Sequence, residues 1–180
     1  MPTKKIKVHF VGIGGIGVSA LAQYYLAQGF QVSGSDLVSS EITQALQKKG
    51  AKVFIGPHKK ENVPRGVDLI IYSPAVPKNN PELIYGTKIS VMSYPEALGE
   101  LTKKHFTVAI SGTHGKTTTC AMIGLILIKA GFDPTVIVGT KVKEFDPSTS
   151  SGQGSNFRLG KSKYLVIEAC EYDESFLNYE

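Results

Sequence analysis

Little in this chain of 180 residues ties it together covalently or holds it to a bilayer. It has two cysteines, Cys120 and Cys170, with neither metal-site spacing nor a disulfide framework. A reducing, cytoplasmic compartment suits them. No apolar run is long enough to span a membrane. The basic start, Met1 to Lys5, leads only into Ile6 to Gly12 before glycine intervenes, which is not a signal peptide. Acidic residues are in deficit: Lys+Arg number 20 against Asp+Glu 15, a net charge of +5. The basic residues fall in small clusters (Lys4-Lys5-Lys7, Lys48-Lys49, Lys59-Lys60, Lys103-Lys104) without interleaved aromatics. That speaks against nucleic acid as a partner. Solvated faces and small anionic ligands account for the charge.

What is present is an alternation of apolar strands and helices. Ile6–Val11 reads as a buried strand and 16–28 as a helix stopped by Gly29. Strands follow at 31–35, ending at Asp36, and at 52–55, 68–73 and 89–92. A helix with Ser39 or Ser40 as N-cap runs to Lys49, and another spans 94–103 with Pro95 in its first turn. Strands and helices of these lengths imply a parallel sheet covered on both faces. A second unit begins near His105 with the strand 106–110 and a helix to Lys129. That helix is apolar on nearly all sides, so it is expected to be buried. Strands at 135–138 and 163–167 follow. The Gly/Ser-rich stretch 146–155 reads as a mobile loop. The expected organisation is an α/β chain. A Rossmann-like parallel-sheet domain covers 1–104, and the start of a P-loop-type α/β domain covers 105–180. With three strands visible, the second domain is expected to be truncated.

Two glycine loops carry the chemistry. Gly12, Gly14 and Gly17 match G-x-G-x-x-G between a strand and a helix, with Gly15 inside the motif. Asp36 ends the next strand, where a dinucleotide fold places its ribose carboxylate. The glycines let backbone approach a diphosphate, and the helix N-terminus favours its charge. NAD and a UDP-sugar fit this pattern equally, and a ligand-free tight turn would also produce it. Ser73, after the fourth strand, and His58, after the third with Asn62 close by, lie on the carboxyl edge where such sheets bind ligands. His58 could equally be structural.

The second loop is Gly112-Thr113-His114-Gly115-Lys116-Thr117-Thr118-Thr119. The position six before Lys116 is Ile110, so the pattern is G-x-x-G-K-T-T rather than the common G-x-x-x-x-G-K-[ST]. Between a strand and an apolar helix it still points to ATP: amides cradle the phosphates, Lys116 meets the β/γ-phosphates and the Thr117 hydroxyl meets Mg²⁺. The plainer reading of His114 is a spacer in the loop. Such a site needs a carboxylate for the metal. Glu168 ends an apolar strand expected to run parallel to the one feeding the loop, which favours it over Glu171, Asp173 and Glu174. A solvated acidic turn is the plainer alternative.

Taken together, these residues resemble the Mur ligase family, the ATP-dependent enzymes that build the peptide of peptidoglycan. The resemblance rests on 11–17 with Gly34-Ser35-Asp36, on His58 to Asn62, on Ser73 to Val76, on 111–119 and on 168–173, and it covers nearly the whole chain. It implies that Gly12, Gly14, Gly15, Gly17, Asp36, His58 and Ser73 hold the UDP moiety of UDP-N-acetylmuramate. It implies that Gly112 to Thr118 hold ATP, that Lys116 and Glu168 are catalytic, and that Thr117 and Glu168 hold Mg²⁺. The chemistry implied is phosphorylation of the muramyl carboxylate to an acyl phosphate, which L-alanine then attacks. A family member that attaches a recycled murein tripeptide shares both loops. The family's downstream metal-binding histidine and its C-terminal domain are not in the 180 residues, so the chain is expected to be inactive alone. Two further classes remain. An NAD-dependent oxidoreductase would explain the first loop and leave the second unexplained. A non-catalytic nucleotide-binding module would bind without turnover.

Overall fold

In a computed structural model the residues described are 5–86, 89–146 and 154–169. The chain divides into two compact units, Met1–Tyr94 and Pro95–Glu180. The division falls ten residues ahead of the 104/105 boundary expected from sequence, so nearly all of the helix that starts at Tyr94 goes with the second unit.

The first unit is built on β1 (Lys7–Val11), β2 (Gln31–Asp36), β3 (Lys52–Ile55), β4 (Leu69–Tyr72) and β5 (Ser90–Ser93). Their order is β3-β2-β1-β4-β5, and every pairing is parallel. This is the doubly wound order, in which ligands meet the carboxyl ends of the strands near β1. β1 is central and apolar on both faces: Val8, Phe10 and Val11 are fully buried, as an inner parallel strand requires. Helices α1 (Ile16–Ala27), α2 (Glu41–Lys48) and α3 (Pro81–Tyr85) accompany it. Val11, Val63, Val67, Ile70, Val76 and Leu83 form one buried cluster. The five-residue α3 was not anticipated from sequence, being too short for a periodic signal. Its start is nevertheless marked by Asn80, whose side chain accepts from the Glu82 amide, followed by Pro81.

In the second unit α4 (Tyr94–Thr102) precedes β6 (Phe106–Ile110), α5 (Lys116–Lys129), β7 (Thr135–Val142), β8 (Ser155–Arg158) and β9 (Tyr164–Glu168). The sheet order is β6-β9-β7-β8, with β8 antiparallel to β7. β8 begins at Ser155, the last residue of the stretch read as a mobile loop, and Ser155, Asn156 and Phe157 are buried. Residues 147–153 of that stretch lie outside the described residues. So do Cys170, Glu171, Asp173 and Glu174.

One expectation fails. Helix α5 is not buried all round: only Cys120 and Gly124 are classed as buried. Met122 and Ile126 are 57% and 61% exposed. The reason is one-sided packing. Cys120 joins Val136, Val138, Phe145 and Val166 in a core cluster with Ile123 and Leu127 against it. Nothing among the described residues covers the opposite face.

The helix starts separate into two kinds. Ser40 caps α2 in a reciprocal pair with Thr43, and Asn80 caps α3; each has an acidic residue in its first turn. Such caps are worth about 1 kcal/mol each. Helices α1 and α5 begin after Gly15 and Gly115, with no side-chain cap and no acidic residue in the first turn. Among the described residues those two starts keep unfilled N–H groups, a condition for binding an anion.

Candidate functional site

The first glycine loop is closed on itself. The Gly12 and Ile13 amides both donate to the Ser35 carbonyl, at 2.9 and 3.0 Å. The Gly14 amide donates to Asp36 Oδ2 at 2.8 Å, and the Gly15 amide to the Gly12 carbonyl. Asp36 therefore braces the loop through Oδ2. Among the described residues, the N–H groups of Gly17 and Val18, in the first turn of α1, donate to no protein group. Space explains the glycines. A Cβ on Gly14 would come within 2.7 Å of Asp36 Oδ2, and one on Gly17 within 2.8 Å of the Tyr94 ring. Gly12 needs a backbone φ of +78° and packs on Ser73, which puts Ser73 at the loop. The Ser73 amide in turn donates to the Val11 carbonyl.

Beneath this edge lies a polar cluster that the sequence reading missed. Glu82, with no exposed surface, sends Oε2 to His9 Nε2 (2.9 Å) and Ser35 Oγ (2.7 Å). Its Oε1 meets His58 Nδ1 (3.0 Å) and Asn62 Nδ2 (2.8 Å). His9 Nδ1 lies 2.9 Å from Ser33 Oγ. Burial pushes the Glu82 carboxyl up, but hydrogen bonds from His9, Ser35, Asn62 and His58 together outweigh it and bring it down to about 2. The group is therefore a carboxylate at neutral pH, with all four acceptor positions filled. Among the described residues no buried side-chain polar atom lacks a partner, in keeping with the cost of leaving one unmet. A signal was available: a histidine in the middle of an otherwise apolar buried strand requires a buried polar partner.

The second loop is open. Gly112 and Gly115 have φ of +138° and +76°, a conformation that strains any residue with a Cβ. Thr113, His114, Gly115 and Thr118 are exposed. Among the described residues no amide from Gly112 to Thr118 donates to a protein group. The Lys116 ammonium folds back on the Gly112 carbonyl. Parallel pairing of β6 with β9 sets Glu168 opposite Ile110, the residue that leads into the loop. Its carboxylate accepts from Thr117 Oγ1 at 3.0 Å and from the Gly139 amide. A Cβ at Gly139 would approach that carboxylate to 3.0 Å, so the glycine in β7 makes room for it.

The described residues contain no group of three or more metal-binding side chains. Thr117 and Glu168 still fit Mg²⁺, because that ion keeps several waters and usually takes one or two protein oxygens plus substrate phosphates. Cys120, one turn into α5, has no exposed surface, and burial followed by the Glu168 charge pushes its thiol up to about 12. It is packing, not a nucleophile.

The residues singled out from sequence thus assemble into two groups. Gly12, Gly14, Gly15, Gly17, Asp36, His58 and Ser73 line the carboxyl edge of the first sheet. Gly112 to Thr118 and Glu168 gather at the carboxyl end of β6.

Comparison with known proteins shows the family to which the chain is related. A family model described as "Mur ligase family, catalytic domain" matches residues 7–106. The chain is 46% identical over 179 residues to the UDP-N-acetylmuramate–L-alanine ligase of Clostridium kluyveri, covering 98% of itself and 37% of that protein. It is 48% identical over 181 residues to the ligase of that name from Acetivibrio thermocellus, covering 36% of it. Among solved structures, the UDP-N-acetylmuramate–alanine ligase of Thermotoga maritima is similar over 97% of the chain, with a TM-score of 0.86 and 32% identity, and the match spans 39% of that protein. The UDP-N-acetylmuramate:L-alanyl-γ-D-glutamyl-meso-diaminopimelate ligase of Neisseria meningitides is similar with a TM-score of 0.81 and 27% identity. The chain spans little more than a third of the length of the curated relatives it matches.

Proposed function

The chain belongs to the Mur ligase family, and we propose that it carries the UDP-substrate and ATP sites of a cytoplasmic enzyme of peptidoglycan synthesis that joins L-alanine to UDP-N-acetylmuramate. The carrying observation is the pair of helix starts, α1 and α5, each left uncapped after a glycine loop. Two such starts suit two phosphorylated ligands. L-alanine as acceptor rests on relatives of that name at 46% and 48% identity. The tripeptide ligase of the Neisseria structure, at 27%, is the second reading. An oxidoreductase does not account for the second loop.

In this reading a muramyl carboxylate oxygen attacks the γ-phosphorus of ATP and the bond to ADP breaks. The amine of L-alanine then attacks the acyl carbon, and inorganic phosphate leaves. The chain's part is positioning and charge. The open amides from Gly112 to Thr118 receive phosphate oxygens. Lys116 leaves the Gly112 carbonyl for the γ-phosphate. Thr117 and Glu168 would hold Mg²⁺, which when bound neutralises charge on the transferring phosphoryl group. The first-turn amides of α1 take the diphosphate of the UDP moiety. The 180 residues alone are proposed to bind these ligands without turning over.

Calorimetric titration with UDP-N-acetylmuramate, with NAD as control, tests the reading. Binding of the muramyl nucleotide and not of NAD is expected. Preference for NAD, or no binding by a folded sample, would overturn it.

A further inference from the structure

The edge of the first sheet opposite the glycine loop carries a cavity of about 160 Å³. Lys7, Gln31 and Lys52 open β1, β2 and β3 there, and all three line it together with Ser33. Side chains alternate along a strand, so Lys7 shares a face with His9, and Gln31 with Ser33. The His9–Ser33 hydrogen bond puts these two sets on the same face of the sheet, and Lys52 joins them as the partner of Ser33. Pro64 and Val67, from the segment leading into β4, close the cavity from above that face. Val67 is fixed there by the buried cluster it forms with Val11 and Ile70.

Two ammonium groups converge on this place. β1 and β3 lie about 10 Å apart, one on either side of β2, so a group held over Gln31 and Ser33 lies between the two lysines. Lys7 Nζ donates to the Arg65 carbonyl at 3.1 Å, and Lys52 Nζ sits 5.0 Å from the centre of the Phe54 ring. The Asp68 carboxylate accepts from the Lys7 amide at 2.9 Å. Among the described residues neither ammonium is paired with a carboxylate, and no acidic side chain lines the cavity. An acid group on a ligand would answer both charges.

Ser33 specifies what else the ligand must carry. The Glu82 carboxylate only accepts, so His9 Nε2 donates to it. In the neutral ring Nδ1 is then an acceptor, and Ser33 Oγ, 2.9 Å away, gives it its proton. Ser33 is left with lone pairs to offer. A ligand that meets them needs an O–H or N–H of its own beside the acid group. Pro64 and Val67 supply apolar wall for a short carbon body. At about 30 Å³ per water the cavity has room for about five waters, the bulk of a molecule of about five or six non-hydrogen atoms.

We propose that this cavity is a further ligand site, which takes a small α-hydroxy or α-amino acid with its carboxylate between Lys7 and Lys52 and its donor on Ser33. The site lies at the sheet edge away from the first glycine loop, and the proposal does not depend on what binds either loop.

Proton–nitrogen correlation spectra of the whole chain test it with three probes of nearly equal size. L-lactate carries both the carboxylate and the donor, propionate lacks the donor, and 1,2-propanediol lacks the charge. L-lactate is expected to shift the amides of Gln31, Ser33 and Lys52 saturably, with a Kd of about 1 to 10 mM, a range open to so small a ligand. Propionate should bind about fivefold to tenfold more weakly, the scale of one hydrogen bond. 1,2-Propanediol should give no saturable shift. Lys52→Met, at an exposed strand start, should weaken L-lactate by about tenfold for a lost charge-assisted contact. The propionate comparison reads the Ser33 contact without a substitution in the buried cluster, so it does not depend on how a variant folds. Absence of saturable shifts with L-lactate, shifts centred on the glycine loop, equal binding of L-lactate and propionate, or unchanged L-lactate binding in Lys52→Met would each overturn the proposal.

Discussion

The two glycine loops look alike in sequence and are built in opposite ways. In the first, the amides of Gly12 to Gly15 are taken by Ser35, Asp36 and the loop's own carbonyl. In the second, no amide from Gly112 to Thr118 is taken by a protein group among the described residues, and the lysine caps a carbonyl of its own loop. A loop whose donors are spent internally is rigid before ligand arrives, and reads its ligand with the helix start and flanking side chains. A loop with open donors is an anion cradle that waits for phosphate to complete it. The glycines accordingly answer different needs: space at Gly14, backbone conformation at Gly115.

Substitutions separate these needs. Gly14→Val has the largest expected effect. Its Cβ would press on Asp36 and on Thr43 Cγ2, costing about 1–3 kcal/mol in chemical denaturation. It should also weaken UDP-ligand binding by more than about a hundredfold, since a displaced loop loses several contacts at once. ATP affinity should be unchanged; a parallel loss of both ligands would show that the loops are not independent.

Acid probes the support of the first loop. Glu82 falls from 4.5 in the unfolded chain to about 2 in the folded one. A lowered folded value stabilises the protein above the unfolded value, and that stability drains away as pH falls from about 4.5 to about 2. At most about 3 kcal/mol is at stake. Denaturation midpoints across this range should drop in wild type and drop less in Glu82→Gln. Equal slopes would remove Glu82 from the account.

Gly115→Ala should have the smallest effect. Nothing lies within 4 Å of the added Cβ, so only the left-handed backbone is strained, at about 1–2 kcal/mol. ATP binding should suffer and UDP binding should not.

Both loops, the five-stranded parallel sheet and the Thr117–Glu168 proximity were legible in sequence, because glycines, a lysine–threonine pair and strand-end acids sit at fixed offsets from apolar runs. The Glu82 cluster was not. His9, Ser33, Ser35, His58 and Glu82 come from four separate segments, and they meet only through the β3-β2-β1-β4 order and the placement of α3 after β4. Helix α5 misled for a related reason. Apolar composition reports what a helix can bury, whereas Met122 and Ile126 show that burial depends on which neighbours are present.

The central claim is that one chain carries two phosphate sites with separate occupants. Its most direct test is calorimetry with UDP-N-acetylmuramate and with ATP–Mg²⁺ on wild type, Gly14→Val and Lys116→Met. The account predicts that Gly14→Val abolishes only the muramyl-nucleotide heat. It predicts that Lys116→Met weakens only ATP, by about 10- to 100-fold for a lost charge-assisted contact. Competition between the two ligands for one site, or loss of muramyl-nucleotide binding in Lys116→Met, would contradict it.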